Sequence, residues 1–122
     1  MSKRYKVLHT KGAHVLAERA IAAESFWARF RGLMFITRME NFDAIIFDRN
    51  NSIHTFFMRF DLDVIFLDSE NCVVKVLRNL KPWRMTRFYF KARKTIEFVG
   101  GKLPLGLAVG DRLEVVCINS QQ

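Results

Sequence analysis

With 122 residues the chain has room for one domain, which buries roughly two thirds of the surface its unfolded form exposes. Half of the residues are hydrophobic and twelve are Phe, a supply of core material that excludes a disordered chain. The formal net charge of +8 is unevenly placed: residues 1–17 carry +4, residues 18–77 carry −2, residues 78–94 carry +7 and residues 95–122 carry −1.

The chain begins with a basic stretch, residues 1–12, that reads as an N-terminal arm ahead of one globular domain over 13–122. MSKRYKVLH has the charge of a secretory signal but not the apolar run that follows one, and nowhere do about eighteen uncharged apolar residues occur together. A cytoplasmic protein with no membrane partner is therefore expected. HVLAERAIAA reads as a strand, after which Ser25 offers an N-cap for a short helix, SFWARFR, ended by Gly32. Phe26, Phe30 and Leu33 would form its apolar stripe.

AIIF, residues 44–47, is a β-branched run closed by the turn-rich DRNNS. IHTFFMR, residues 53–59, is compatible with a strand carrying His54, Phe56 and Met58 on one face and Thr55, Phe57 and Arg59 on the other. DVIFL (63–67) and CVVKVL (72–77), joined by DSEN, predict a hairpin that continues a meander. DRLEVVCI closes the chain as a half-buried strand. These elements predict an α+β, β-dominated fold: a compact, largely antiparallel barrel-like or sandwich sheet with one or two short helices. Cys72 and Cys117 lie in Val-rich stretches without metal-ligand spacing and read as buried free thiols.

Three segments in order, RFRGLMF (29–35), IHTFFMRFDLDVIFLD (53–68) and GLAVGDRLEV (106–115), resemble the bacterial and archaeal family labelled domain of unknown function 192. The resemblance covers most of the chain and implies a small, largely antiparallel β fold with short helices; it implies no activity. The family pattern has Pro-Ile before the Asp that matches Asp63, where this chain has Asp61-Leu62. It also has Glu-Leu-Pro-Ala-Gly where this chain has EFVGG, keeping Glu97 and Gly101.

Two kinds of site are open. His54 and Asp63, nine residues apart on what read as consecutive strands, are placed to meet as an acid/base pair or simply to close a turn. Glu97, the one acid between Asn71 and Gly110, either joins them as a functional carboxylate or pairs with a nearby Arg. The acids Asp61, Asp63, Asp68 and Glu70 read as hairpin ends, and Met34 and Met58 as core, so neither a metal site nor a cofactor is expected. The second kind of site is RNLKPWRMTRFYFKARK, residues 78–94. There Arg78, Lys81, Arg84, Arg87, Lys91, Arg93 and Lys94 are interleaved with Trp83, Phe88, Tyr89 and Phe90. Cations neutralise phosphates and rings stack on bases, so this stretch is either a surface for an anionic partner, nucleic acid or an acidic metabolite, or a solvated connection. A non-enzymatic binding domain is the leading expectation, an enzyme or small-ligand site on His54, Asp63 and Glu97 the alternative. A protein-interaction module is a third.

Overall fold

The computed structural model describes residues 3–23 and 42–118. Seven strands build one sheet: β1 (Arg4–His9), β2 (His14–Ala22), β3 (Ala44–Asp48), β4 (Leu62–Leu67), β5 (Val73–Leu80), β6 (Lys94–Val99) and β7 (Leu113–Cys117). Their order across the sheet is β5-β4-β6-β3-β2-β1-β7. Every neighbouring pair is antiparallel except β2–β3, which runs parallel. A parallel pair needs a crossover, and residues 23–43 supply its length. The helix expected at 25–31 falls in that connection, outside the described residues. Within the described residues helical structure is limited to a 3-10 turn at Lys11–Ala13.

The sheet curls until its two edges meet at one end. Val73 N–H donates to the Asp111 carbonyl and Gly110 N–H to the Val73 carbonyl, while Cys72 bridges to Arg112. The curl encloses a core to which all seven strands contribute: Val7, Ala20, Ile46, Ile65, Val73, Phe98 and Leu113, joined by Leu103 and Leu107 from the loop after β6. A second apolar cluster, Ile45, Phe47, Leu62, Val64 and Phe66, lies on the other face of the central strands. Ile53, Met58, Ala92 and Tyr89 pack over it, so residues 50–61 and 81–93 act as its cover.

The strands expected near 14–22, 44–47, 63–67, 72–77 and 113–118 form with small changes of boundary. Arg4–His9, read from its charge as part of an arm, is β1 and pairs on both sides, with β2 and with β7, burying Val7 completely. Residues 53–59 are not a strand. Phe57 takes a left-handed backbone (φ 65), and Thr55 is fully buried, which breaks the alternation the residue types suggest. Lys94–Val99, hidden in the sequence behind the basic stretch, is a central strand between β3 and β4. Cys72 is half-buried and Cys117 exposed, so the expected burial of both thiols does not hold.

Candidate functional site

The acid/base candidates are not gathered. In an antiparallel pair, directly opposed residues share a face and successive residues alternate. Val64 on β4 is opposed by Glu97 on β6, and Asp63 by Phe98, so Asp63 and Glu97 point to opposite faces of the sheet. Asp63 is buried on the inner side and accepts three backbone N–H bonds, from Asn79 (2.8 Å), Gly101 (3.0 Å) and Leu103 (3.0 Å). Its work is to fix the chain after β6.

Glu97 is buried between Ile45 and Val64 on the outer side. Burial in apolar surroundings pushes its carboxyl up to about 8, because the charged form loses water without compensation. Among the described residues no cation pairs with it.

His54 stands with neither. It is exposed, bridges to Met85, accepts the Phe56 N–H at Nδ1 (3.2 Å), and its ring lies 4.9 Å from that of Phe56. The imidazole–carboxylate pair that does form is one the sequence reading missed: His9 Nε2 to Asp111 Oδ2, 2.9 Å, on residues 102 apart. Only the β1–β7 pairing brings them together, so sequence proximity carried no signal. The Ala108 N–H, then the His9 contact, hold the Asp111 carboxyl below the usual carboxylate range. The acids near the β4–β5 hairpin are spread out: Asp61 pairs with Lys81 (2.8 Å), Asp68 caps its own turn through Glu70 and Cys72 N–H, and Glu70 approaches Arg112. Among the described residues no group of three or more His, Cys, Asp or Glu is arranged to hold a metal ion.

The stretch 78–94 divides into three parts: the end of β5, a loop over 81–93 and the first residue of β6. Arg78, still on β5, donates to the Leu103 and Pro104 carbonyls (2.9 and 2.7 Å) and so belongs to the loop after β6. The remaining candidates, Lys81, Trp83, Arg84 and Arg87, share the 81–93 loop. That loop is stitched to residues 51–55, with Thr55 N–H donating to Arg84 O, Trp83 N–H to Thr55 O and Thr86 N–H to Ile53 O. The Thr55 hydroxyl donates to Lys81 O (2.6 Å) and accepts from Arg84 N–H (2.8 Å). A buried hydroxyl satisfied in both roles clamps the loop at its base.

This clamp leaves rings in solvent. Trp83 is 58% exposed, Met85 70%, Phe88 67% and Phe90 88%. Trp83 takes a left-handed backbone (φ 64) and lies against Phe56 (5.9 Å, stacked) and Phe57 (4.7 Å, edge-on). Tyr89 alone of the loop's rings turns inward, onto Phe66 (4.6 Å), and the Arg87 guanidinium lies 5.8 Å from the Tyr89 ring centre. The aromatic and basic residues foreseen at 78–94 therefore split by role. Phe57, the half-buried Phe56 and His54, which the sequence offered only as an acid/base candidate, join this surface from a segment remote in sequence.

Residues 7–115 match the family DUF192, described as Uncharacterized ACR. A UPF0127 protein of Thermococcus sibiricus is 39% identical over 112 residues, spanning 86% of this chain and 70% of that one. A UPF0127 protein of Pyrococcus furiosus is 41% identical over 115 residues, spanning 86% and 92%. A crystal structure from Novosphingobium aromaticivorans, described as a protein of unknown function, superposes with a TM-score of 0.73 at 26% identity, covering 91% of this chain and 83% of that one. A second, from Sinorhizobium meliloti and described as a putative transcription regulator, gives 0.74 at 20% identity over 94% of each chain, a likeness of fold alone. No helix among the described residues is long and apolar enough to cross a membrane. Matched over nearly its whole described length by the family's pattern and by archaeal relatives of the same kind, the chain belongs to the DUF192 family.

Proposed function

We propose that the chain is a binding domain whose 81–91 surface takes single-stranded nucleic acid. The observation that carries this reading is the exposure of Trp83, Phe88 and Phe90 on a loop that also bears Arg84, Arg87 and Lys91. An ordinary soluble domain does not hold three large rings in water on a hydrogen-bonded segment without a use for them. Cations lie on both sides of the exposed rings, Lys81 and Arg84 about Trp83 and Arg87 and Lys91 about Phe88 and Phe90, so phosphates on either side of a stacked base can be met. Rings confined to a tip with cations behind them would instead suit a lipid surface. The loop's anchorage at Thr55 means that little order need be acquired on binding.

The test is anisotropy of a labelled single-stranded oligonucleotide at about 50 and 200 mM salt, with heparin as competitor and anionic vesicles as a separate arm. Binding that weakens steeply with salt, resists heparin and falls roughly 5- to 100-fold in Trp83→Ala supports the reading. Equal competition by heparin, indifference to Trp83→Ala, or binding to vesicles without binding to the oligonucleotide overturns it. The acid/base alternative on His54, Asp63 and Glu97 gains no support from the register, which sends the two carboxylates to opposite faces.

A further inference from the structure

Away from the aromatic loop, on the side of the enclosed core, a cleft of about 770 Å³ opens between the β1–β2 turn and the loop after β6. Its size is that of a site for a small organic ligand. Lys11, His14 and Lys102 stand at its mouth and are exposed, whereas Leu103 and Leu107 are buried members of the enclosed core. His9 closes one end, its Nε2 committed to Asp111. No carboxylate is among the described residues that line it.

Both walls are held. The loop wall is pinned by Asp63, which accepts the Gly101 and Leu103 N–H groups, and by Arg78, which donates to the Leu103 and Pro104 carbonyls. The turn wall is pinned by His9 to Asp111 and by Thr10 N–H to the Arg112 carbonyl. Gly12 adopts φ +86, and a Cβ there would stand 3.1 Å from the His14 ring, so the glycine lets the imidazole lie over the turn beside Lys11.

We infer that this cleft binds a small organic anion with an apolar body. Lys11, Lys102 and His14 face the anionic head, and Leu103, Leu107 and Val15 take the aliphatic part. Lys102 and His14, with Lys11, whose charge also acts on Asp111 at the His9 end, attract a negative charge, and the exposed apolar surface of Val15 beside the two leucines rewards a ligand that brings carbon with it. A bare inorganic anion would use only the mouth. This site is separate from the aromatic loop, so the two readings stand or fall independently.

The experiment is titration of the isotopically labelled protein with octanoate and with octyl phosphate, followed by amide chemical shifts, with octanol and inorganic phosphate as controls. Saturable shifts confined to residues 9–15 and 101–107 are expected for at least one of the two anions, and the stronger binder tells a carboxylate head from a phosphate one. The Lys11→Gln/Lys102→Gln variant, altered only at exposed side chains, is expected to weaken that binding at least tenfold. Val15→Trp, which fills the cleft from a half-exposed position, should abolish it. Octanol binding as tightly as either anion, shifts confined to 81–91, no shifts at all, or unchanged affinity in the double Gln variant would overturn the inference.

Discussion

Asp63 and Glu97 stand one register step apart on adjacent central strands, and both are buried, yet they live under opposite conditions. Asp63 faces the loop after β6 and collects three backbone N–H donors. Glu97 faces Ile45 and Val64 and collects none from the described residues. The difference shows that depth alone does not decide what a carboxylate does in a sheet. A side chain near the end of a strand meets N–H groups that the ladder leaves free, here two in the loop after β6 and one at Asn79 where the β4–β5 register shifts, while one in mid-strand meets only its neighbours' side chains. Asp63 is thus a fastener, and Glu97 a stored proton.

The largest test of that contrast is Asp63→Ala, which strands three donors and should cost roughly 3–5 kcal/mol in urea unfolding. Loss below about 1 kcal/mol would mean that water replaces the carboxylate. Next comes Glu97→Gln. The carboxyl's folded value, about 8, lies above its ordinary value of 4.5, so the folded state holds a proton the unfolded state releases. Stability is therefore complete below about pH 4.5, declines as pH rises, and levels off above about 8. The Gln variant should lack this decline and exceed the parent by roughly 2–4 kcal/mol near pH 9, while differing little near pH 4. Parallel pH profiles for the two proteins would show that Glu97 is compensated.

Thr55→Val sharpens the comparison with a neutral group, buried like Glu97 and satisfied like Asp63. Removing its hydroxyl leaves Lys81 O and Arg84 N–H short of a partner, for a cost of about 2 kcal/mol and faster amide exchange over 81–86. Arg78→Met should be mildest, about 1 kcal/mol, because the carbonyls of Leu103 and Pro104 can turn to water. Its diagnostic effect is a loosened 101–107 loop, read as increased amide exchange there.

Where the sequence was legible, the signal was local. The β4–β5 hairpin showed itself through DSEN, and Asp68 does accept the N–H groups of Glu70 and Cys72 in that turn. β7 showed itself through alternation, with Leu113 buried, Glu114 exposed and Val115 half-buried, though the alternation lapses at the exposed Cys117. Charge misled in two places. Arg4 and Lys6 drew attention from the alternation of Tyr5, Val7 and His9 in β1, and Lys94 made the start of β6 look like the tail of a basic stretch. Residues 53–59 carried the composition of a strand, but the left-handed backbone at Phe57 is a tertiary outcome that residue type does not announce.

The same distinction governs the sites. The exposed loop was visible because its cations and rings are consecutive in the chain. The cleft was not, because His9, His14, Lys102 and Leu107 meet only through strand pairing across most of the sequence.

That long-range pairing also imposes an order in time. β1 can zip to β2 soon after both are made, but its other edge waits for β7, most of the sequence later. The bridge from Cys72 to Arg112 that brings the sheet's ends together waits equally long. During synthesis the nascent chain therefore carries a half-built sheet with two bare rims until residues 113–117 leave the ribosome. Truncation before that point removes more than one strand's worth of pairing: it leaves the enclosed core without a lid and offers both rims to other chains.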